Sequence, residues 1–255
     1  MKDCVELILK WYLENKRDLP WRRNKDPYHV WISEIMLQQT RIEAVIDYYH
    51  RFMEKIPTIQ ALSETPEDEL LKLWEGLGYY SRARNLKKAA IKIMEEFEGV
   101  FPNNYKDILS LPGIGEYTAG AISSICFSLP EVAIDGNVMR VYCRVMDLDL
   151  DVSDLKVKKE IGEEIKKILP KNSGDFNQGI MELGEVLCIP GGISKCSECP
   201  LKYRCLAHLN KRESLIPRKI LKKEKMNEEY TLFLMECNHK YALRKRDSGL
   251  FPRGM

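Results

Sequence analysis

The stretch LPGIGEYTAGAI, Leu111 to Ile122, decides the fold of this chain. In it, Gly113 and Gly115 follow a proline and stand directly before a run of apolar residues with helical spacing. Glycine allows a tight turn with positive φ and leaves the backbone amides at the start of the next helix uncovered. Those amides and the helix dipole attract an anion such as a DNA phosphate. A plain helical hairpin, whose turn often contains glycine, is the alternative interpretation of this stretch alone.

Helical periodicity extends from the N-terminus to about residue 210, with short breaks such as EGLGYY and FPNNY. In DPYHVWISEIMLQQTRIEAVIDYYHRFM, residues 26–53, apolar side chains recur at spacings of three and four and draw one stripe. Similar stripes occupy 4–14, 67–75, 83–97, 117–127, 138–146, 155–169 and 176–188. The pattern predicts an all-α architecture with short loops. After Asn210 the helical periodicity ends and the sequence becomes more charged. Two short segments around Asn238–Lys240 predict a β-hairpin.

The composition is that of a globular protein and excludes a membrane-spanning one. The chain has 255 residues, of which 44% are hydrophobic and 31% charged, and no apolar run approaches the ~20 residues of a membrane-spanning helix. The N-terminal segment lacks the features of a signal peptide, so we expect a cytoplasmic protein, associated with the nucleoid through DNA if it binds DNA. The net charge is only +2, but residues 201–225 hold nine lysines and arginines against two glutamates. Such a patch suits a polyanion but does not by itself establish one.

Four of the eight cysteines form a cluster within eighteen residues: Cys188, Cys196, Cys199 and Cys205. A disulfide framework would spread its cysteines through a small secreted domain, so this clustering predicts a metal site. Zinc sites more often have two close cysteine pairs, and this cluster has one. The spacing therefore favours a [4Fe–4S] cluster held by four thiolates.

The string L-P-G-I-G-x-Y-T-A-G resembles the helix-hairpin-helix DNA glycosylases of the endonuclease III superfamily. In the lyase members of that superfamily a lysine stands where Tyr117 stands here, and it forms a Schiff base with the sugar. A phenol cannot form a Schiff base. The resemblance therefore implies a monofunctional glycosylase, which removes a base and leaves the strand intact.

Two carboxylates suit the cleavage of an N-glycosidic bond, which needs a proton on the departing base and negative charge beside the cationic sugar. Glu34 stands among apolar neighbours, which favour its neutral form and suit a proton donor. Asp135 stands just before a predicted helix, whose dipole and free amides would keep it ionised. Taken alone, the patterns favour a solvated helical Glu and an N-capping Asp, although an N-capping Asp is also anionic.

A wider resemblance covers residues 6 to 210, where LPWR, PYHVWISEIMLQQT, LWEGLGYYSRARNL, AIDGNVMRV and FNQGIMELGEVLC occur in the order of MutY-type adenine DNA glycosylases. It implies that Glu34 protonates adenine, that Asp135 stabilises the sugar intermediate, and that Asn137 supports Asp135. It further implies base- or DNA-binding roles for Trp21, Arg22, Gln39, Thr40, Tyr79, Gly113, Gly115 and Gln178, of which Gln39 and Tyr79 wedge into the duplex. The first cysteine gap is seven residues, where the family usually has six, which suggests a bulged loop.

From this resemblance we expect a helical catalytic core over 1–210 with its cluster loop at 188–205, a linker over 211–229, and a remnant of a C-terminal Nudix-like domain over 230–255. The expected partner is double-stranded DNA with adenine opposite 8-oxoguanine or guanine, bound by a monomer and without a membrane. Two alternatives stay open: a thymine (G:T) mismatch glycosylase of the same fold, and a non-catalytic iron–sulfur DNA-binding protein. Such thymine enzymes usually lack the acid at Glu34.

Overall fold

The computed structural model describes residues 1–191, 194–218 and 234–241. Its first compact unit, Met1–Ile220, is helical, which confirms the predicted all-α class. The helices are α1 (Val5–Asn15), α2 (Pro27–Leu37), α3 (Ile42–Lys55), α4 (Ile59–Glu64), α5 (Glu67–Leu73), α6 (Ser81–Glu96), α7 (Tyr105–Leu109), α8 (Glu116–Phe127), α9 (Gly136–Met146), α10 (Leu155–Lys166), α11 (Ser173–Val186) and α12 (Leu206–Leu209). Single 3-10 turns precede α1 and α2. No helix in the described part of the chain is both long and apolar enough to cross a membrane.

Residues 26–53, whose apolar spacing predicts one continuous stripe, form two helices in the structure. Asp26 caps α2, since its side chain accepts from the amide of Tyr28. The chain then leaves the helical conformation after Leu37, and Gln39 has a left-handed backbone with φ of 58°. The apolar spacing survives the break because α3 resumes on the same core, so periodicity alone does not reveal it. The short helix α4, capped by Thr58, has no counterpart among the predicted stripes.

Two apolar cores lie within this unit. The first lobe is formed by α2 to α8 around fully buried aromatic side chains, among which Phe52 and Trp74 meet edge to face with ring centroids 6.3 Å apart. The second lobe is formed by α1, α9, α10, α11 and α12, with Phe176 and Ile180 at its centre. Helix α11 packs against α1, α8 and α9, and therefore joins the two lobes.

The predicted hairpin is present as α7, a tight turn and α8. Gly113 has φ of 79°, and a Cβ there would come within 2.7 Å of the Cβ of Asn85, so both the turn and the packing require glycine. Gly115 is the N-cap of α8, and a Cβ built on it would meet nothing within 4 Å. Neither the packing around Gly115 nor its φ of −100° requires a glycine at this position. The first amides of α8 are left open to a ligand.

The second unit, Leu221–Met255, is described over residues 234–241 and contains a two-stranded antiparallel sheet. Its strands are β1 (Glu236–Cys237) and β2 (Lys240–Tyr241). Asn238 and His239 between them both have positive φ, the conformation of a tight two-residue hairpin turn. Of the predicted linker, residues 211–218 are described and include the buried Ile216. The remainder of the linker and most of 230–255 lie outside the described residues.

Candidate active site

A cavity of about 440 Å³ opens where α2 and α8 of the first lobe face α9 and α11 of the second. It brings together most of the side chains that the sequence singled out: Trp21, Arg22, Glu34, Gln39, Thr40, Tyr117, Asp135, Asn137 and Gln178. Tyr79, Gly113 and Gly115 lie outside its lining, and the four clustered cysteines line a different cavity.

Two helices each present one face to this cavity. The lining residues of α2 are Val30, Ser33, Glu34 and Leu37, and those of α11 are Gln178, Met181, Glu182 and Glu185. Both sets have the spacing i, i+3, i+4, i+7 that places side chains on one face of a helix. Glu34 and Gln178 are predicted site residues, whereas Glu182 was not predicted. The sequence spacing could have predicted Glu182 as a site residue, because it follows Gln178 by four residues and shares its helix face.

Glu34 stands deep in the cavity wall. Burial raises the pKa of its carboxyl to about 7, while the hydroxyl of Tyr117 and the charge of Arg22 act in the opposite direction. The nearby Asp135 raises the pKa of Glu34 further, because two carboxylates close together resist joint ionisation. Near neutral pH the group is therefore divided between its two forms, which suits a proton donor.

Tyr117 stands one residue into α8 and faces both carboxyl groups. Burial, together with the charges of Glu34 and Asp135, raises the pKa of the phenol well above its ordinary value, so it stays neutral. Its hydroxyl donates to Met181 Sδ at 3.2 Å, and its interaction with Glu34 lowers the pKa of that acid. The phenol is therefore an uncharged hydrogen-bonding group between two acids.

Asp135 is the N-cap of α9, as its position in the sequence suggested. Its Oδ1 accepts from the amide of Val138 and its Oδ2 from the side-chain amide of Asn137, both at 2.8 Å. Burial raises the pKa of Asp135, and these hydrogen bonds only partly oppose the rise. The shift is thus opposite to the one expected from the helix start alone, because the carboxyl lies in a cavity wall rather than in solvent.

Asn137 is oriented by Arg140. The Nη2 of Arg140 donates to Asn137 Oδ1 at 2.7 Å, which leaves the Asn137 NH₂ group to donate to Asp135. Arg140 is itself anchored, since its Nε donates to the carbonyl of Cys188 at 2.7 Å and its Nη2 to that of Gly184 at 2.9 Å. The orientation of Asp135 is therefore tied to the backbone at the first clustered cysteine.

A buried ion-pair network forms another wall of the cavity. Glu182 accepts from Arg17 and Arg22, whose Nη2 atom lies 2.7 Å from Glu182 Oε2. Burial opposes the ionisation of Glu182, but the two arginines outweigh it and lower its pKa. The Nη1 of Arg22 is buried and has no hydrogen-bond partner among the described residues. This donor is therefore free to bond a water or a ligand in the cavity.

Gln39 and Tyr79, the two predicted wedge residues, are both exposed. Both have left-handed backbones, with φ of 58° and 47°, which is uncommon for residues other than glycine. Gln39 lines the cavity, and the exposed fraction of Tyr79 is 61%. Thr40, next to Gln39, is half-buried, and its hydroxyl accepts from Arg82 at 3.5 Å.

The four clustered cysteines line one small, largely apolar cavity, together with Arg144, Leu183 and Leu187. Burial raises the pKa of Cys199 to about 12 and that of Cys205 to about 11, so these two thiols are neutral when no metal is bound. Four convergent thiols in an apolar enclosure are the donor set of an iron–sulfur cluster, and the residues fit that group. His208 and Glu213 also place ligand atoms within 4.8 Å of each other and of Cys196 Sγ.

Arg144 braces this loop. Its Nη1 donates to Cys188 Sγ at 3.2 Å, to the Ile189 carbonyl at 3.0 Å and to Ser194 Oγ at 2.8 Å. The seven-residue gap between the first two cysteines is thus held near both ends. Residues 192–193 within it lie outside the described part of the chain.

Comparison with known proteins places these features in a family. Residues 32–171 match the model of the HhH-GPD superfamily base excision DNA repair protein. An adenine DNA glycosylase of Buchnera aphidicola (subsp. Acyrthosiphon pisum) is 40% identical over 242 residues, which are 94% of this chain and 69% of that protein. The chain belongs to the adenine DNA glycosylases. The human adenine DNA glycosylase is 44% identical over 210 residues, which are 78% of this chain and 38% of the human one.

Solved structures agree with this assignment of the fold. The structure of a thermostable thymine-DNA glycosylase superimposes with a TM-score of 0.75 at 30% identity, covering 82% of this chain and 96% of that one. A non-covalent endonuclease III–DNA complex gives a TM-score of 0.69 at 24% identity, covering 83% and 98%. The predicted helix-hairpin-helix glycosylase fold is thereby confirmed. The chain is a DNA-binding enzyme of base excision repair.

Proposed function

We propose that this adenine DNA glycosylase hydrolyses the N-glycosidic bond of adenine paired with 8-oxoguanine or guanine, and that it leaves the DNA strand intact. The observation that carries the proposal is the pair of carboxyls in one cavity, Glu34 with a pKa of about 7 and Asp135 with both oxygens hydrogen-bonded. One acid is available as a proton donor, and the other is oriented for a developing positive charge.

In the first step Glu34 transfers its proton to a ring nitrogen of adenine. The electron pair of the glycosidic bond then leaves with the base, which departs as neutral adenine, and positive charge develops on the sugar. Because the pKa of Glu34 is about 7, a substantial fraction of the enzyme holds this proton at neutral pH.

Asp135 stabilises the cationic sugar, either electrostatically or by adding to its anomeric carbon. Water then adds to that carbon, and where Asp135 has formed a covalent bond its carboxylate leaves as the water adds. The water loses its proton to Glu34, which became a carboxylate when it protonated adenine. The hydrogen bond from Asn137 keeps one oxygen of Asp135 in place. Tyr117 has no amine with which to form a Schiff base, so no group at its position can begin strand cleavage.

Arg22, Gln178 and Trp21 bind the flipped adenine. The unpaired Nη1 of Arg22 donates to a ring nitrogen of the base, which removes the cost of a buried unsatisfied donor. Trp21 offers an apolar wall and is itself held by an edge contact with Tyr49, with ring centroids 5.3 Å apart. Glu182 fixes Arg22 in this orientation through the 2.7 Å ion pair.

The duplex is held by groups outside the cavity. The open amides at Gly113 and Gly115 bind a phosphate at the start of α8. Gln39 and Tyr79, both exposed, fill the space that the flipped adenine leaves beside its partner base. All of these groups come from one chain, which supports a monomeric enzyme.

We further propose that Cys188, Cys196, Cys199 and Cys205 hold a [4Fe–4S] cluster. When bound, the cluster supplies iron–thiolate bonds that cross-link the 188–205 loop. Arg144 would donate to one of these sulfurs, as it does to Cys188 Sγ.

The likeness to a thymine-DNA glycosylase gives a second candidate, removal of thymine opposite guanine. The two candidates differ in their need for an acid, because Glu34 has a role in expelling adenine. A duplex series with A opposite 8-oxoguanine, A opposite G and T opposite G separates them by the yield of alkali-labile sites.

The proposal is tested with Glu34→Gln and Asp135→Asn, using Glu160→Gln on the exposed face of α10 as a matched control. We expect each active-site variant to lose adenine removal and to keep most of its affinity for duplex DNA, since cationic contacts supply most of that affinity. The control should excise adenine at the wild-type rate. Near wild-type excision by either active-site variant would contradict the role given to that acid.

A further inference from the structure

A single buried guanidinium lies between the two predicted wedge residues. Arg82, the second residue of α6, is 8% exposed. Its Nη1 donates to the carbonyl of Gln38 at 2.6 Å, and its Nη2 donates to that of Gly78 at 3.2 Å. These carbonyls belong to the peptide groups that immediately precede Gln39 and Tyr79.

The same guanidinium also holds the segments on which those peptides lie. Its Nη1 donates to the carbonyls of Ile35 at 2.7 Å and Met36 at 3.0 Å, and its Nη2 to that of Leu77 at 3.1 Å. Ile35 and Met36 are in the last turn of α2, where carbonyls have no partner within the helix. Arg82 therefore caps the helix that carries Glu34 and fixes the 77–79 turn at once.

The described hydrogen-bond acceptors around the buried Arg82 guanidinium are all neutral. The described residues give Arg82 carbonyl and hydroxyl acceptors but no carboxylate within ion-pair distance, and its Nε has no partner. Its plane also lies over the rings of Trp74 and Tyr79, at 5.3 and 5.7 Å from their centroids. Burying a cation with only neutral partners is costly, so the benefit must lie in the geometry that those partners acquire.

We propose that Arg82 is a positioning residue that presents Gln39 and Tyr79 to the duplex as one rigid pair. Both residues are held in left-handed conformations, and each could relax by rotation of the peptide before it. Either rotation would break a hydrogen bond to the same guanidinium, so the two wedges are coupled. This inference rests on the wedge role given to them in the proposed function.

The test is Arg82→Lys, which keeps the cation but cannot reach both sets of carbonyls. The substrate is a duplex with adenine opposite 8-oxoguanine and a 2-aminopurine beside that adenine, whose fluorescence rises when the stack opens. We expect the fluorescence rise and the single-turnover excision rate each to fall by about tenfold, a change equivalent to ~1.4 kcal/mol. Duplex affinity should change by less than about twofold, because Arg82 is buried and offers no charge to a phosphate.

A double-mutant cycle separates positioning from simple structural support. If Arg82 acts through the wedges, Arg82→Lys should cause no further loss in a chain that already carries Gln39→Ala and Tyr79→Ala. An equal loss in both backgrounds would overturn the proposal, as would normal stack opening in Arg82→Lys. Arg51→Lys is the matched control, because Arg51 is exposed and also lies over a tyrosine ring, 4.5 Å from the centroid of Tyr48.

Two further measurements keep the outcomes distinct. If Arg82→Lys does not fold, Trp74→Phe removes the other donor to the Gly78 carbonyl, the indole N–H at 3.1 Å, and should lower the same two signals to a smaller degree. Its failure to do so would overturn the proposal. The unmodified enzyme is assayed in parallel: absence of adenine excision there would contradict the proposed function, whereas excision that survives Gln39→Ala with Tyr79→Ala would contradict only the wedge role and this inference.

Discussion

Arg22 and Glu182 form an ion pair of 2.7 Å in the wall of the cavity, although 160 positions separate them in the chain. The pair holds the guanidinium so that one nitrogen faces Glu182 and the other, buried and unpaired among the described residues, is available to a base. Arg17 shares the same carboxylate, with its Nη2 3.1 Å from Glu182 Oε2.

Glu182→Gln should therefore weaken both the fold and base binding. The variant leaves two arginines without their shared anion, and we expect a loss of ~1–3 kcal/mol in the free energy of unfolding. Glu185→Gln is the comparison, because Glu185 is more exposed and, among the described residues, pairs with Arg17 alone. Its loss should stay within about 0.5 kcal/mol. Chemical denaturation measures the free energy of unfolding of both variants. Equal losses would show that the buried ion pair stabilises the fold no more than the exposed one.

The pH dependence of adenine excision should be bell-shaped. Glu34 acts in its protonated form, so the rate should fall as pH rises through its pKa of about 7. Asp135 acts in its ionised form, so the rate should fall as pH drops through a pKa raised above the ordinary aspartate value. Single-turnover rates across pH check both limbs. A rate that climbs steadily above pH 7 would rule out Glu34 as the proton donor.

Tyr117→Lys should acquire some strand-nicking activity, because an amine would then face the sugar. Borohydride should trap this variant on DNA and should trap neither the unmodified enzyme nor Tyr117→Phe, which keeps the ring and lacks the hydroxyl. The readout is a covalent protein–DNA band after denaturing electrophoresis. Trapping of the unmodified enzyme would contradict a monofunctional mechanism.

The purified protein should be brown and contain about four irons per chain, as cluster chemistry with four cysteines implies. Cys199→Ser should lower the iron content and the broad visible absorbance. Cys237→Ser, at an exposed position in β1, should change neither. Metal analysis distinguishes the two assignments. A colourless protein that contains one zinc per chain would show that the four cysteines form a zinc site and hold no iron–sulfur cluster.

Several structural features of this protein could be predicted from short segments of its sequence. The turn at Gly113 and the cap at Asp135 are each set within a few residues, so their geometry follows from backbone sterics and side-chain chemistry. The break inside residues 26–53 escaped the periodicity, because a left-handed residue at Gln39 redirects the chain without disturbing the apolar pattern.

The sequence by itself predicted the helical fold from its periodicity and a metal site from the spacing of four cysteines, which are both short-range features. The two acids were predicted only through the resemblance to known glycosylases. Tertiary structure alone decided how these groups behave. The pKa of Glu34 rises because the side chain is buried in the cavity wall near Asp135, and that of Asp135 rises because its helix start faces a cavity instead of water. The contacts of Arg82 join carbonyls more than forty residues apart. Such effects depend on the distance between groups in the folded protein, and the spacing of residues along the sequence does not give that distance.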